Sequence, residues 1–137
     1  MAVAIYNEDP IPYQIIAYRM INELSPVHTY EYAAGRHNQG TSYGLSRFAC
    51  DMMGAWNAKR TWKYKLFGDT IARVPYMWLY TRLPNGEMMR DGDDFIAYQQ
   101  RVHYWGNLGT FFYCYTYNDD PYLKGETLRM GDRKSVV

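Results

Sequence analysis

Cysteine is nearly absent. Cys50 and Cys114 are the only two in 137 residues. They allow one disulfide at most and no cysteine-based metal motif, and their setting favours two buried free thiols. His28, His37 and His103 lack the spacing of metal ligands. Neither sign of charge is in excess. The formal net charge of +1 excludes a globally basic nucleic-acid binder. No apolar run approaches the roughly 18 residues of a membrane helix. The opening, Met1-Ala2-Val3-Ala4-Ile5-Tyr6, has neither the basic region nor the long apolar region of a signal peptide. A P-loop, a dinucleotide fingerprint and a nucleophile elbow are also missing.

What is present is a core-forming composition rich in tyrosine. Hydrophobic residues make up 47% and charged residues 21%, which excludes disorder, and the length suits one domain. Aromatics reach 18%, with 15 Tyr, 5 Phe and 4 Trp. Tyrosine joins an apolar ring to a polar tip, so this content suits wet grooves and sugar-binding surfaces as well as cores.

The hydrophobic pattern is helical. Tyr13, Ile16, Ala17, Met20, Ile21 and Leu24 recur every three or four residues after Pro12, and Ser25-Pro26 is expected to end that helix. Residues 26–40 lack a period and read as an irregular loop around Gly35 and Gly40. Thr41 or Ser42 is expected to cap a second helix running to about Ala58, with Leu45, Phe48, Ala49, Met52, Ala55 and Trp56 on its packing face. At about 100° per residue, Tyr43 and Arg47 share a narrow sector away from that face. A third helix is expected over residues 69–82, either kinked at Pro75 or truly starting there. Pro84-Asn85-Gly86 reads as a turn and residues 87–94 as a loop. A fourth helix over 101–117 carries the stripe Tyr104, Leu108, Phe111 and Tyr115, although residues 111–117 are aromatic enough to suggest a strand. Asn118-Asp119-Asp120-Pro121 caps a shorter fifth. The fold class is therefore all-α, built of antiparallel helix pairs of the kind that stack into solenoids and toroids.

Three clusters carry chemistry. Gly35-Arg36-His37-Asn38-Gln39-Gly40-Thr41-Ser42-Tyr43, followed by Arg47, gathers a cation, an imidazole, amides and a phenol before a helix N-terminus, where anions are favoured. A free tyrosine is a poor base near pKa 10, and Arg47 at i+4, with His37 nearby, is placed to lower it by stabilising the phenolate. Arg90-Asp91-Gly92-Asp93-Asp94 lacks the spacing of a calcium loop and reads as a solvated or substrate-facing loop. Lys59-Arg60-Thr61-Trp62-Lys63-Tyr64-Lys65 alternates cations with aromatics, a pattern compatible with polyanions or with a solvated linker.

These residues resemble a known family, the heparinase II/III-like polysaccharide lyases, and are closest to its heparinase II members. The resemblance begins near Tyr18-Arg19-Met20 and passes through His37-Asn38-Gln39-Gly40-Thr41-Ser42-Tyr43 and Arg47-Phe48. It continues through Leu83-Pro84-Asn85-Gly86-Glu87 and Asp91-Gly92-Asp93 into the aromatic segment after Arg101. In the heparinase II members a His stands immediately before the Gln, where this chain has Asn38, with His37 one place earlier.

The resemblance implies part of an (α/α) toroid over residues 1–130; residues 131–137, which have neither a cap nor a periodic run, read as a non-native or disordered tail. It implies β-elimination of a uronic-acid polysaccharide such as heparin or heparan sulfate. Tyr43 is the implied proton-transfer residue, and His37, Gln39, Arg47 and Asp91 are the implied substrate-binding residues. The partners it implies are an acidic polysaccharide and the remainder of a longer parent chain, with no nucleic acid, membrane, metal or cofactor engaged by this segment. The implied location is periplasmic or secreted. A uronate epimerase and a non-catalytic helical carbohydrate-binding module are the alternatives.

Overall fold

The computed structural model describes residues 2–41, 43–84, 89 and 108–131. The described residues are helical, with no sheet among them, so the fold is all-α. A short α1 (Ala2–Tyr6) leads into α2 (Pro10–Arg19), a π-helical turn (Met20–Leu24) and α3 (Ser25–Glu31). The central helix is α4 (Tyr43–Trp62). A 3₁₀ turn (Asp69–Arg73) runs into α5 (Val74–Tyr80), and α6 (Leu108–Asn118) and α7 (Pro121–Gly131) follow.

Proline chemistry sets several of these starts. Asp9 caps α2, its carboxylate accepting from the Ile11 N–H at 3.1 Å, and Pro10 takes the first turn, where no donor is needed. The expected stop at Ser25-Pro26 is not observed. The Ser25 N–H reaches back five residues to the Met20 carbonyl, and this wider turn carries the chain past a proline that cannot donate. Pro26 then sits in the first turn of α3, and the Ser25 hydroxyl donates to the Leu66 carbonyl across the fold. Residues 26–31, expected in a loop, are therefore helix. Pro75 occupies the first turn of α5, which settles the third segment as a 3₁₀ turn followed by a new helix. Asp120 caps α7 as expected, accepting from the Tyr122 and Leu123 N–H groups at 2.9 and 3.2 Å. Gly131 is the last residue of α7. The 111–117 segment is helical despite its strand-like composition.

The core lies on one face of α4. Leu45, Phe48, Ala49, Met52 and Ala55 are buried there, as their spacing predicts, Ala58 joins them, and α4 runs four residues beyond the expected end at Ala58. Phe111, Cys114 and Tyr117 of α6, Leu123 of α7, Ile71, Val74 and Trp78 complete it. On α6 the buried face thus runs through 111, 114 and 117, leaving Tyr115 half-buried; Tyr104 lies outside the described residues. The Tyr117 hydroxyl both accepts from the Phe67 N–H and donates to the Phe67 carbonyl, each at 3.1 Å, tying the 63–68 segment to α6. Lys59 caps the same C-terminal end of α6, its ammonium donating to the Thr116 and Tyr117 carbonyls at 3.1 and 2.7 Å.

Both cysteines are free, but only Cys114 is buried. Burial pushes its thiol far above the ordinary range, so it behaves as a small apolar group. Cys50 is exposed, a correction to the expected pair of buried thiols: it lies off the Leu45–Met52 face. Among the described residues, no helix is long and apolar enough to cross a membrane.

Candidate functional site

The turn over residues 32–41 and the first residues of α4 form one unit. Gly35 and Gly40 adopt φ of 67° and 66°, a region that residues with a Cβ enter only at a cost. The Gly35 N–H donates to the Tyr32 carbonyl at 2.9 Å, and the Trp78 indole N–H donates to the Gly40 carbonyl at 3.1 Å. The turn is therefore fastened to the core at both ends.

His37 is the centre of this unit. Only 3% of it is exposed. Its ring stacks on Tyr32 at 5.7 Å and meets Phe48 at 6.1 Å and Trp78 at 6.2 Å. Nδ1 accepts from the Gln39 N–H at 3.1 Å, which leaves the proton of the neutral ring on Nε2. Burial is the main cause that lowers its pKa below the ordinary 6.5; Glu31 and Asp51 oppose that shift, while His28 and Arg47 reinforce it. His37 thus organises the turn from beneath and is placed to position neighbouring groups.

Folding linkage follows from that shift. Below about pH 6.5 the unfolded chain takes up a proton that folded His37 resists. Stability is therefore full above 6.5 and falls as pH drops through it, levelling off below the lowered folded value. Thermal melts at about pH 7.5, 6.5 and 5.5 are expected to show this fall. In His37→Asn, whose amide oxygen replaces Nδ1 as acceptor, the fall should flatten; an equal slope in both proteins would assign it to other groups.

Gly44 explains how the ring fits. A Cβ at this position would lie 2.9 Å from His37 Nδ1 and 3.2 Å from Cγ. Alanine is the better helix former by about 1 kcal/mol, yet here it would push a packed ring out of its slot, at about 1–3 kcal/mol. Gly44→Ala is therefore expected to lower the melting temperature, against the propensity scale. A raised melting temperature would show that the turn yields.

Above this base lie the two exposed residues of the site. Tyr43 opens α4 and is 40% exposed. Arg47, one turn later, holds its guanidinium over the Tyr43 ring at 5.2 Å from the centroid. The shared sector expected from their spacing is observed. Gln39 is half-buried beside them and contributes its backbone N–H to His37. The structure thus gathers His37, Gln39, Tyr43 and Arg47 around the start of α4, with the imidazole below and the phenol and guanidinium above. Asp91 and the rest of the 90–94 cluster lie outside the described residues.

Sequence reasoning missed a layer behind the turn. The buried Tyr32 hydroxyl donates to Asp51 Oδ2 at 2.7 Å, and Tyr32 stacks on His28 at 5.2 Å. His28 in turn faces Glu31 at 3.3 Å and Asp51 at 3.8 Å. Burial first, and then the Asp51 carboxylate, drives the Tyr32 phenol far above its ordinary range, so this tyrosine stays protonated. The available signal was the spacing of His28, Glu31 and Tyr32, three and four residues apart, which a loop reading of 26–40 concealed. Among the described residues, no group of three or more His, Cys, Asp or Glu side chains is arranged to hold a metal ion. Comparison with protein-family models, curated proteins and solved structures returned no match.

Proposed function

We propose that this chain is the middle part of an (α/α) toroid in a heparinase II/III-like polysaccharide lyase, acting on a uronic-acid glycosaminoglycan outside the cytoplasm. The observation that carries the reading is the Tyr43–Arg47 pair, exposed together at the start of α4 beside a turn that His37 and Trp78 fasten. It coincides with the Gln39-Gly40-Thr41-Ser42-Tyr43 element on which the resemblance rests.

The chemistry suits those groups. Elimination removes the proton at C5 of a uronate, which is acidic because it lies beside the carboxylate. Negative charge grows on that carboxylate, and cationic donors such as Arg47 stabilise it. Tyr43 takes the proton as phenolate and returns it to the glycosidic oxygen, and Gln39 orients the sugar. Lowering a tyrosine from about 10 to about 7 requires roughly 4 kcal/mol of preferential phenolate stabilisation. One exposed guanidinium supplies less than that, so the reading calls for further positive or donor groups from the rest of the parent enzyme. Exposed Ile11, Ile15 and Tyr18 form an apolar stripe on α2 of the sort a toroid covers with its next helix pair.

The test is product formation. The parent enzyme, supplied with heparan sulfate, should release unsaturated uronate, seen as new ultraviolet absorbance. Binding without that absorbance would favour the carbohydrate-binding module, and epimerised product without chain cleavage would favour the epimerase.

A further inference from the structure

At the far end of α4 lies a second polar and aromatic cluster. Trp56 lies three residues before Lys59 and four before Arg60, and Lys63 lies four after Lys59 and three after Arg60, so the four cluster on one side of the helix and its end. Phe112 and Thr116, one turn apart on α6, form the opposite wall. Together these six residues line a groove of about 430 Å³, a size suited to a few sugar rings. The lining carries three cations and no carboxylate.

The cations differ in what they are free to do. Lys59 is committed to the α6 carbonyls and to Asp119 at 3.2 Å. Arg60 and Lys63 have no carboxylate partner among the described residues. The Arg60 guanidinium lies 4.7 Å over the Trp56 ring, which fixes the plane of its donor fork. Lys63 follows the last residue of α4 with φ of 56°, where glycine is the less costly residue. A cation stands there despite the backbone strain.

We propose that this groove binds an acidic oligosaccharide through its carboxylate or sulfate groups. A planar guanidinium and a nearby ammonium match those anions, and the exposed Phe112 offers an apolar surface to the C–H face of a sugar. A nucleic-acid strand stacks successive bases on several open aromatic faces, and one exposed Phe112 does not supply them. Here one face of Trp56 is covered by Arg60, and its ring packs at tilted angles against Phe112 and Tyr113, at 6.3 and 5.7 Å. The helix rise separates Arg60 from Tyr43 by about 25 Å, so this site is distinct from the one at the start of α4.

The experiment titrates the 137-residue chain with three probes. They are a hexasaccharide of alternating uronate and N-sulfated glucosamine, a neutral glucose hexasaccharide, and a thymidine decanucleotide. Trp fluorescence and calorimetry report binding. The acidic hexasaccharide is expected to bind at least about tenfold tighter than the other two, the margin of one good charge-assisted contact. The Arg60→Gln/Lys63→Gln protein should lose at least about tenfold in that affinity at an unchanged melting temperature. If the double variant is less stable, Lys63→Gly serves in its place, because glycine suits the backbone while removing the charge; weaker binding without a lower melting temperature is then expected. Three results would overturn the proposal: no binding of the acidic probe, equal binding of the decanucleotide, or unchanged affinity in the variants. None of them bears on the lyase reading, which is decided by unsaturated product.

Discussion

Trp78→Ala is expected to destabilise the chain by about 3–5 kcal/mol, the usual cost of emptying a large aromatic site in a core. Among the described residues, Trp78 is the largest fully buried side chain, and it has no exposed surface. Its ring lies 5.5 Å from Phe48 and 6.2 Å from His37, so its loss opens a cavity that neither neighbour fills alone. The indole N–H also leaves the Gly40 carbonyl without its donor. Domains of this kind are stable by about 5–15 kcal/mol in total, so the variant should be partly unfolded at moderate urea concentration. Trp78→Phe divides the effect. It keeps most of the ring volume but deletes the donor, and should cost about 1–3 kcal/mol, with amide exchange accelerated around residues 37–41. Chemical denaturation of both variants checks the ranking. A loss below about 1 kcal/mol for the alanine variant would contradict the packing of Trp78 between the turn and α4.

The same contacts mark where sequence reading succeeds and where it stops. The α4 face was legible because Leu45, Phe48, Met52 and Ala55 are local neighbours on one helix, and their periodicity survives any tertiary arrangement. The separation of Tyr43 and Arg47 from that face follows from the same geometry. The continuation through Pro26 was not legible, because a π turn is invisible in a three-to-four spacing and the pre-proline rule points the other way. His37 was expected to bind substrate from an irregular loop, yet it is buried. Its burial comes from Tyr32, Phe48 and Trp78, which approach from three different elements, and from the missing side chain at Gly44. Trp56 was placed on the packing face, yet its ring is shared between Arg60 and α6 at the groove. The 111–117 segment shows propensity losing to context: β-favouring Phe111 and Tyr117 are buried against α4 and the 66–67 segment as parts of a helix.

On the lyase reading proposed above, Tyr43→Phe in the parent enzyme is expected to lower turnover about a hundredfold or more, the range typical of a lost general acid or base. The substitution removes one oxygen from a ring that is 40% exposed and lies off the apolar face of α4, so little packing is at stake. The cation–π contact with Arg47 is with the ring and survives in phenylalanine. Substrate affinity should therefore change far less than turnover, since Arg47, Gln39 and the turn beneath them are retained. This separation of turnover from KM is the signature of a group needed in the transition state rather than in binding. The rate is read from the ultraviolet absorbance of the unsaturated uronate, and the melting temperature is the control. Near-normal turnover would make Tyr43 a structural tyrosine and remove the residue on which the lyase reading turns. A fall in turnover matched by a fall in melting temperature would assign Tyr43 to holding the start of α4. A large loss of turnover at unchanged stability is the outcome that proton transfer by this phenol requires.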